Sequence, residues 1–182
     1  MDESEAQLET LLAKTALRDR SAFEKLYALS SPNLYGVAFK MLKRKDWAED
    51  ALQEAFVKIW YNAGQYHQQK GNAISWMVSI VRYRAIDTLR AQRTDLDSDS
   101  VLESLVIENV LNEKQSSQES LEQGLDGCID ELQEKQKKSI LMAFYDGYTH
   151  QELSQKLKVP LGTMKSWIRR SLEKLKRCLD EV

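Results

Sequence analysis

The sequence predicts an all-α fold: two small helical domains joined by an acidic flexible linker, with a helix-turn-helix in the second domain. Three observations carry this. Apolar residues recur at three- and four-residue spacing through both ends of the chain. The 182 residues include only 7 Gly and 2 Pro, too few breakers for the tight turns of a sandwich or barrel. Charge is also uneven: net +3 over residues 1–93, −8 over 94–126 and +3 over 127–182. The expected organisation is therefore a first domain at 1–93, a linker at 94–126 and a second domain at 127–182.

The first domain reads as helices nearly throughout. Leu8, Leu11 and Leu12 begin a helical stripe, continued by Phe23, Leu26 and Tyr27. Pro32 is expected to open a new helix, since proline suits the first turn. Leu34, Tyr35, Ala38, Met41 and Leu42 form that helix's apolar face, and Lys43, Arg44 and Lys45 complement its C-terminal dipole. Asp46 is the expected cap of a helix over Trp47–Tyr61, with Ala51, Leu52, Ala55, Phe56, Ile59 and Trp60 at helical spacing. Residues 62–72, NAGQYHQQKGN, hold two glycines and no apolar period, and so read as a loop. A helix over Ala73–Arg93 places Ile74, Met77, Val78, Val81 and Ile86 on one side. Arg82, Arg84, Arg90 and Arg93 are expected on or near the other.

The linker, from Thr94 to Asp126, has no aromatic residue and is rich in Ser, Asp, Glu and Gln. Its centre, VLESLVIENVL, has enough Leu and Val for a short helix. The second domain reads as four helices. Ile129 and Leu132 mark the first, and Lys137–Tyr145 is the second, stopped at Asp146-Gly147. Thr149 caps the third, and Glu152 completes the pattern T-x-x-E of a capping box. The turn Lys158-Val159-Pro160 follows, and a long basic helix runs from Thr163 to about Leu179. A short helix, a tight turn and a longer basic helix are the parts of a DNA-binding helix-turn-helix. Thr163, Lys165, Ser166, Arg169 and Arg170 stand where side chains and helix N-terminal amides meet bases and phosphates. Leu153, Leu157, Val159, Met164 and Ile168 supply the shared core.

Other function classes find little support. His67 and His150 belong to no catalytic spacing, and there is no CxxC, HExxH or glycine-rich phosphate loop. No enzymatic activity, metal or other cofactor is expected. MDESEAQLET is acidic where a leader peptide would be basic, and no apolar run approaches membrane-spanning length. A cytoplasmic protein without membrane insertion is expected. Cys128 and Cys178 suit a reducing compartment, and are read as small buried apolar residues without a special role, with a redox or zinc switch as the alternative.

The first domain narrows the function. DWAEDALQEAFVKIW (46–60) and AFEKLYALSSPNLYGVAFKML (22–42) resemble the second conserved region of RNA polymerase sigma factors, the extracytoplasmic-function (ECF) group of the sigma-70 family especially. SWMVSIVRYRAIDTLRAQR (75–93) looks like that family's promoter-melting and −10-reading helix. VPLGTMKSWIRRSLEKLK (159–176) looks like its −35-reading helix. Tyr83 and Trp167 depart from the Asn and Arg common at those positions.

The resemblance implies a sigma factor with region 2 at 1–93 and region 4 at 127–182. It implies that Asp50, Gln53 and Glu54 face the β′ clamp helices of core RNA polymerase, and that region 4 meets the β flap. It implies that the loop takes a flipped −10 base, with Tyr66, Lys70 and Asn72 as its candidates. It implies that Arg82, Arg84 and Arg90 touch the DNA backbone there, while Asp87 holds an arginine in place. It gives Thr163, Lys165, Ser166, Arg169 and Arg170 the −35 element. The acidic linker would thread polymerase channels as a mimic of an RNA backbone. A cognate anti-sigma factor would hold the free, monomeric chain inactive. The competing reading is a conventional helix-turn-helix repressor or activator, a dimer that binds palindromic duplex unaided. It leaves the AEDALQEAF run and the basic 82–93 helix unexplained.

Overall fold

The computed structural model describes residues 3–92 and 127–181, and no strand occurs among them. The chain divides between Thr94 and Asp95 into two compact units, each with its own apolar core. The acidic linker falls outside the described residues.

The first unit is four helices: α1 (Glu3–Ala16), α2 (Arg20–Leu42), α3 (Lys45–Asn62) and α4 (Ala73–Gln92). α2, α3 and α4 pack on one another, and α1 lies against all three and against the turn after α3. Leu12, Leu26, Leu34, Ile59, Met77 and Val81 are fully buried at the centre. Each such side chain contributes roughly 1.5–3 kcal/mol of burial. Phe56 stacks edge-on against Phe23 at 6.0 Å and tilts against Tyr27 at 4.5 Å, so it is a core aromatic. Asp19 caps α2 by accepting from the Ala22 N–H at 3.1 Å.

Two boundaries differ from expectation. Pro32 opens no helix but sits inside α2. It cannot bond the carbonyl of Ala28, yet both residues are exposed, so water can take that carbonyl. Packing on α3 and α4 holds the rest of the helix through the gap. Asp46 is likewise not the cap of α3. Arg44 holds that place, and Asp46 lies in the first turn, bound to the Arg44 guanidinium at 2.5 and 3.1 Å. A carboxylate there still complements the helix dipole.

In the second unit residues 127–130 are helical. Then come α5 (Glu134–Phe144), α6 (His150–Leu157) and α7 (Leu161–Glu181). Gly147 stops the chain after α5 with φ +66°, while the Tyr148 N–H reaches back to the Met142 carbonyl at 3.2 Å. The left-handed backbone at this point is one that glycine takes without steric cost, so the helix stops here. Cys128 is buried as expected, but the two cysteines do have a role: Cys128 and Cys178 form a disulfide, 50 residues apart in sequence and 5.8 Å between Cα atoms. The bond ties the short helix at residues 127–130 to the last turns of α7.

Candidate nucleic-acid interface

The helix-turn-helix is built from local bonds that the sequence specifies. The Glu152 N–H donates to Thr149 Oγ1 at 3.1 Å, and the Thr149 N–H donates to Glu152 Oε2 at 2.6 Å, closing the capping box. Lys158 takes a left-handed conformation, φ 51°, in the turn. That costs a residue with a side chain roughly 1–2 kcal/mol. The Ser154 hydroxyl offsets part of it by donating to the Val159 carbonyl at 2.7 Å, and the Val159 N–H returns to the Ser154 carbonyl at 3.0 Å. The helix after the turn starts at Leu161, two residues before Thr163, because the Pro160 carbonyl already accepts from the Met164 N–H.

Leu153, Met164, Ile168, Leu172 and Leu175 are buried between these helices. Each residue of α7 turns about 100° from the last. Thr163, Ser166 and Arg170 therefore lie opposite the buried Met164, Ile168 and Leu172. Lys165, Arg169 and Arg170 are exposed, while Thr163 and Ser166 are partly covered. Arg169 lies 3.8 Å from Glu173 one turn on, a loose surface pair that DNA could displace.

In the first unit, Asp50, Gln53 and Glu54 are exposed on α3, while Ala48, Ala51, Leu52, Ala55 and Phe56 are buried on its other side. Glu54 is ion-paired with Arg84 of α4, and Arg84 also meets Asp87 at 3.1 Å. A residue expected to face polymerase thus holds one expected to face DNA. Arg82 departs from expectation. It is only 2% exposed and faces the core beside Val78, Val81 and Ala85, so in this structure it has no access to a DNA backbone. Arg90 is half-buried near the end of α4.

Residues 62–72 contain no α-helix beyond the last residue of α3, only two single-turn 3₁₀ segments at Ala63–Gln65 and Gln68–Lys70. Gly71 adopts φ +139°, a conformation that suits glycine alone. The three candidates here are placed differently. Lys70 is exposed. Asn72 caps α4: its Oδ1 accepts from the Ser75 N–H at 2.8 Å. Tyr66 is turned inward, its ring 5.9 Å from that of Trp76 and its hydroxyl donating to Glu9 Oε1 at 2.9 Å. Burial first, then the hydrogen bond to Glu9, pushes the phenol above its usual range, so it stays protonated and donating.

Comparison with known proteins accounts for both units. The family model for Sigma-70 region 2 matches residues 26–94, and that for Sigma-70 region 4 matches residues 122–175. The ECF RNA polymerase sigma factor SigK of Mycobacterium ulcerans (strain Agy99) is 30% identical over 186 residues, covering 95% of this chain and 94% of the relative. The chain belongs to the ECF RNA polymerase sigma factors. SigK of Mycolicibacterium vanbaalenii is 28% identical, over 96% of this chain and 90% of its own length. Among solved structures, Rhodobacter sphaeroides SigE in complex with the anti-sigma ChrR is 25% identical with a TM-score of 0.48, covering 94% of this chain and 99% of that one. CnrH in complex with the cytosolic domain of CnrY is 18% identical with a TM-score of 0.43, covering 96% and 98%. Family membership decides for a sigma factor over a free-standing repressor. No helix among the described residues of this sigma factor is long and apolar enough to cross a membrane.

Proposed function

We propose that this sigma factor divides its work as follows. Asp50, Gln53 and Glu54 on the outer side of α3 meet the β′ clamp helices of core polymerase. The loop edge around Lys70, with Arg84 and Arg90 of α4, engages the melted −10 region. Thr163, Lys165, Ser166, Arg169 and Arg170 read the −35 element, and the second unit also meets the β flap. The observation that carries the reading is α7: a polar and basic row stands opposite a fully buried apolar one, presented by a capped helix and a tight turn. That arrangement suits a helix in the major groove.

Large apolar side chains on the first unit support a protein partner as well. Leu29, Phe39, Val57 and Tyr61 are 51%, 44%, 56% and 67% exposed. Such surface suits polymerase and, in its absence, a cognate anti-sigma factor, with the chain itself a cytoplasmic monomer.

The test is core-polymerase affinity. Gln53→Ala with Glu54→Ala lowers it while leaving the helical signal intact. Because Glu54 also holds Arg84, the pair Asp50→Ala with Gln53→Ala serves as the cleaner second variant. Normal affinity in both would remove the clamp assignment.

A further inference from the structure

The loop between α3 and α4 has little of its own to define its shape. It contains Gly64 and Gly71 and two isolated single-turn segments. Its shape comes instead from α1, a helix that precedes the matched region 2 segment. One carboxylate, Glu9, accepts from two loop residues at once: Oε1 from the Tyr66 hydroxyl at 2.9 Å and Oε2 from Gln68 Nε2 at 2.9 Å. One turn earlier, Glu5 accepts from the Ala73 N–H where α4 begins. Asn72 closes the same point from within the loop by capping α4. The two acids, four residues apart on one face of α1, therefore bind the loop at its middle and at its exit.

We infer that Glu9 is a positioning residue for the −10 loop. It anchors Tyr66 and Gln68 to α1, so that the exposed edge at Gln69 and Lys70 meets the melted strand already shaped. This rests on the reading that the loop takes the −10 strand, and it changes the part Tyr66 plays there. With its ring against Trp76 and its hydroxyl on Glu9, Tyr66 anchors the loop and does not stack on a base. The physical benefit is preorganisation: a loop ordered before binding loses less conformational freedom when the strand arrives. Glu9 is half-buried and its two oxygens are turned to the loop, so its charge is already engaged by donors when phosphates approach.

The test uses holoenzyme assembled from core polymerase and the full chain. The probe is a fluorescein-labelled single strand carrying the non-template −10 element of a promoter that this holoenzyme transcribes. Glu9→Ala is expected to weaken binding roughly tenfold, the scale of losing two side-chain bonds that order a loop. Glu9→Gln is expected to stay within about threefold of the parent, because an amide can accept from Tyr66 and still pair with the Gln68 amide. Gln68→Ala, a surface change that spares α1, gives a smaller loss than Glu9→Ala. Core affinity is unchanged in all three.

Parent-like binding by Glu9→Ala, with weakened binding by Lys70→Ala, would overturn the clasp while keeping the loop as the −10 site. Parent-like binding by both would remove the loop as the −10 site, and the inference with it. A loss in Glu9→Gln as deep as in Glu9→Ala would also refute the bridge. Should Glu9→Ala prove unstable, Glu9→Gln and Gln68→Ala decide by the same comparison.

Discussion

Removing the Cys128–Cys178 bond is expected to cost the second unit about 4 kcal/mol. The bond closes a loop of 50 residues spanning α5, α6 and most of α7. The chain-entropy relation for a loop of that size gives close to 14 cal/mol/K, which is about 4 kcal/mol at 25 °C. A unit of this size has only a few kcal/mol in hand, because a small domain buries a modest share of its surface. Reduction should therefore bring it near the midpoint of unfolding. Hydrogen exchange read by mass spectrometry resolves the effect, because both cysteines lie in the second unit and the first serves as internal reference. After reduction and alkylation of both thiols, core amides of α5 and α7 should exchange about 10³-fold faster, while those of α2 to α4 keep their rates. Unchanged protection in α5 and α7, with both thiols shown to be alkylated, would refute the reasoning.

Smaller perturbations test other parts of the account. Thr149→Ala removes half of the capping box and should lower the stability of the second unit by about 1 kcal/mol, seen in its urea midpoint. Arg82→Ala should lower the stability of the first unit by about 3 kcal/mol, as loss of a buried charged side chain does; a normal melting point with weakened promoter binding would return Arg82 to the DNA. Arg169→Ala and Arg170→Ala should each cost about 1–3 kcal/mol in promoter discrimination, read as relative transcription from matched and mismatched −35 elements. Neutralising the acids of residues 94–126 should weaken initiation without changing −35 preference; unchanged initiation would leave the segment a tether.

The sequence made the helices legible because their apolar residues keep a 3.6-residue period, and it made the turn at 157–160 legible because Thr149, Glu152 and Pro160 are local signals. Charge alone places Arg82 on the outer side of α4. Its position four residues after Val78 and one after Val81 puts it on the inner side of α4, where it is buried. Its periodicity held the answer. Pro32 departs for the opposite reason: the rule for proline concerns local backbone, whereas packing of α2 against α1, α3 and α4 decides the outcome. The disulfide and the Glu9 clasp had no local signal at all. Their partners lie 50 and 57 residues apart, and only the fold brings them together.

The most direct test of the central claim is run-off transcription with purified core polymerase on a pooled genomic promoter library, with and without the protein. A sigma factor should give discrete new transcripts whose templates share a −35 and a −10 element, lost with Gln53→Ala/Glu54→Ala. No new transcript from a core enzyme that responds to a control factor, together with tight duplex binding by the chain alone, would contradict it.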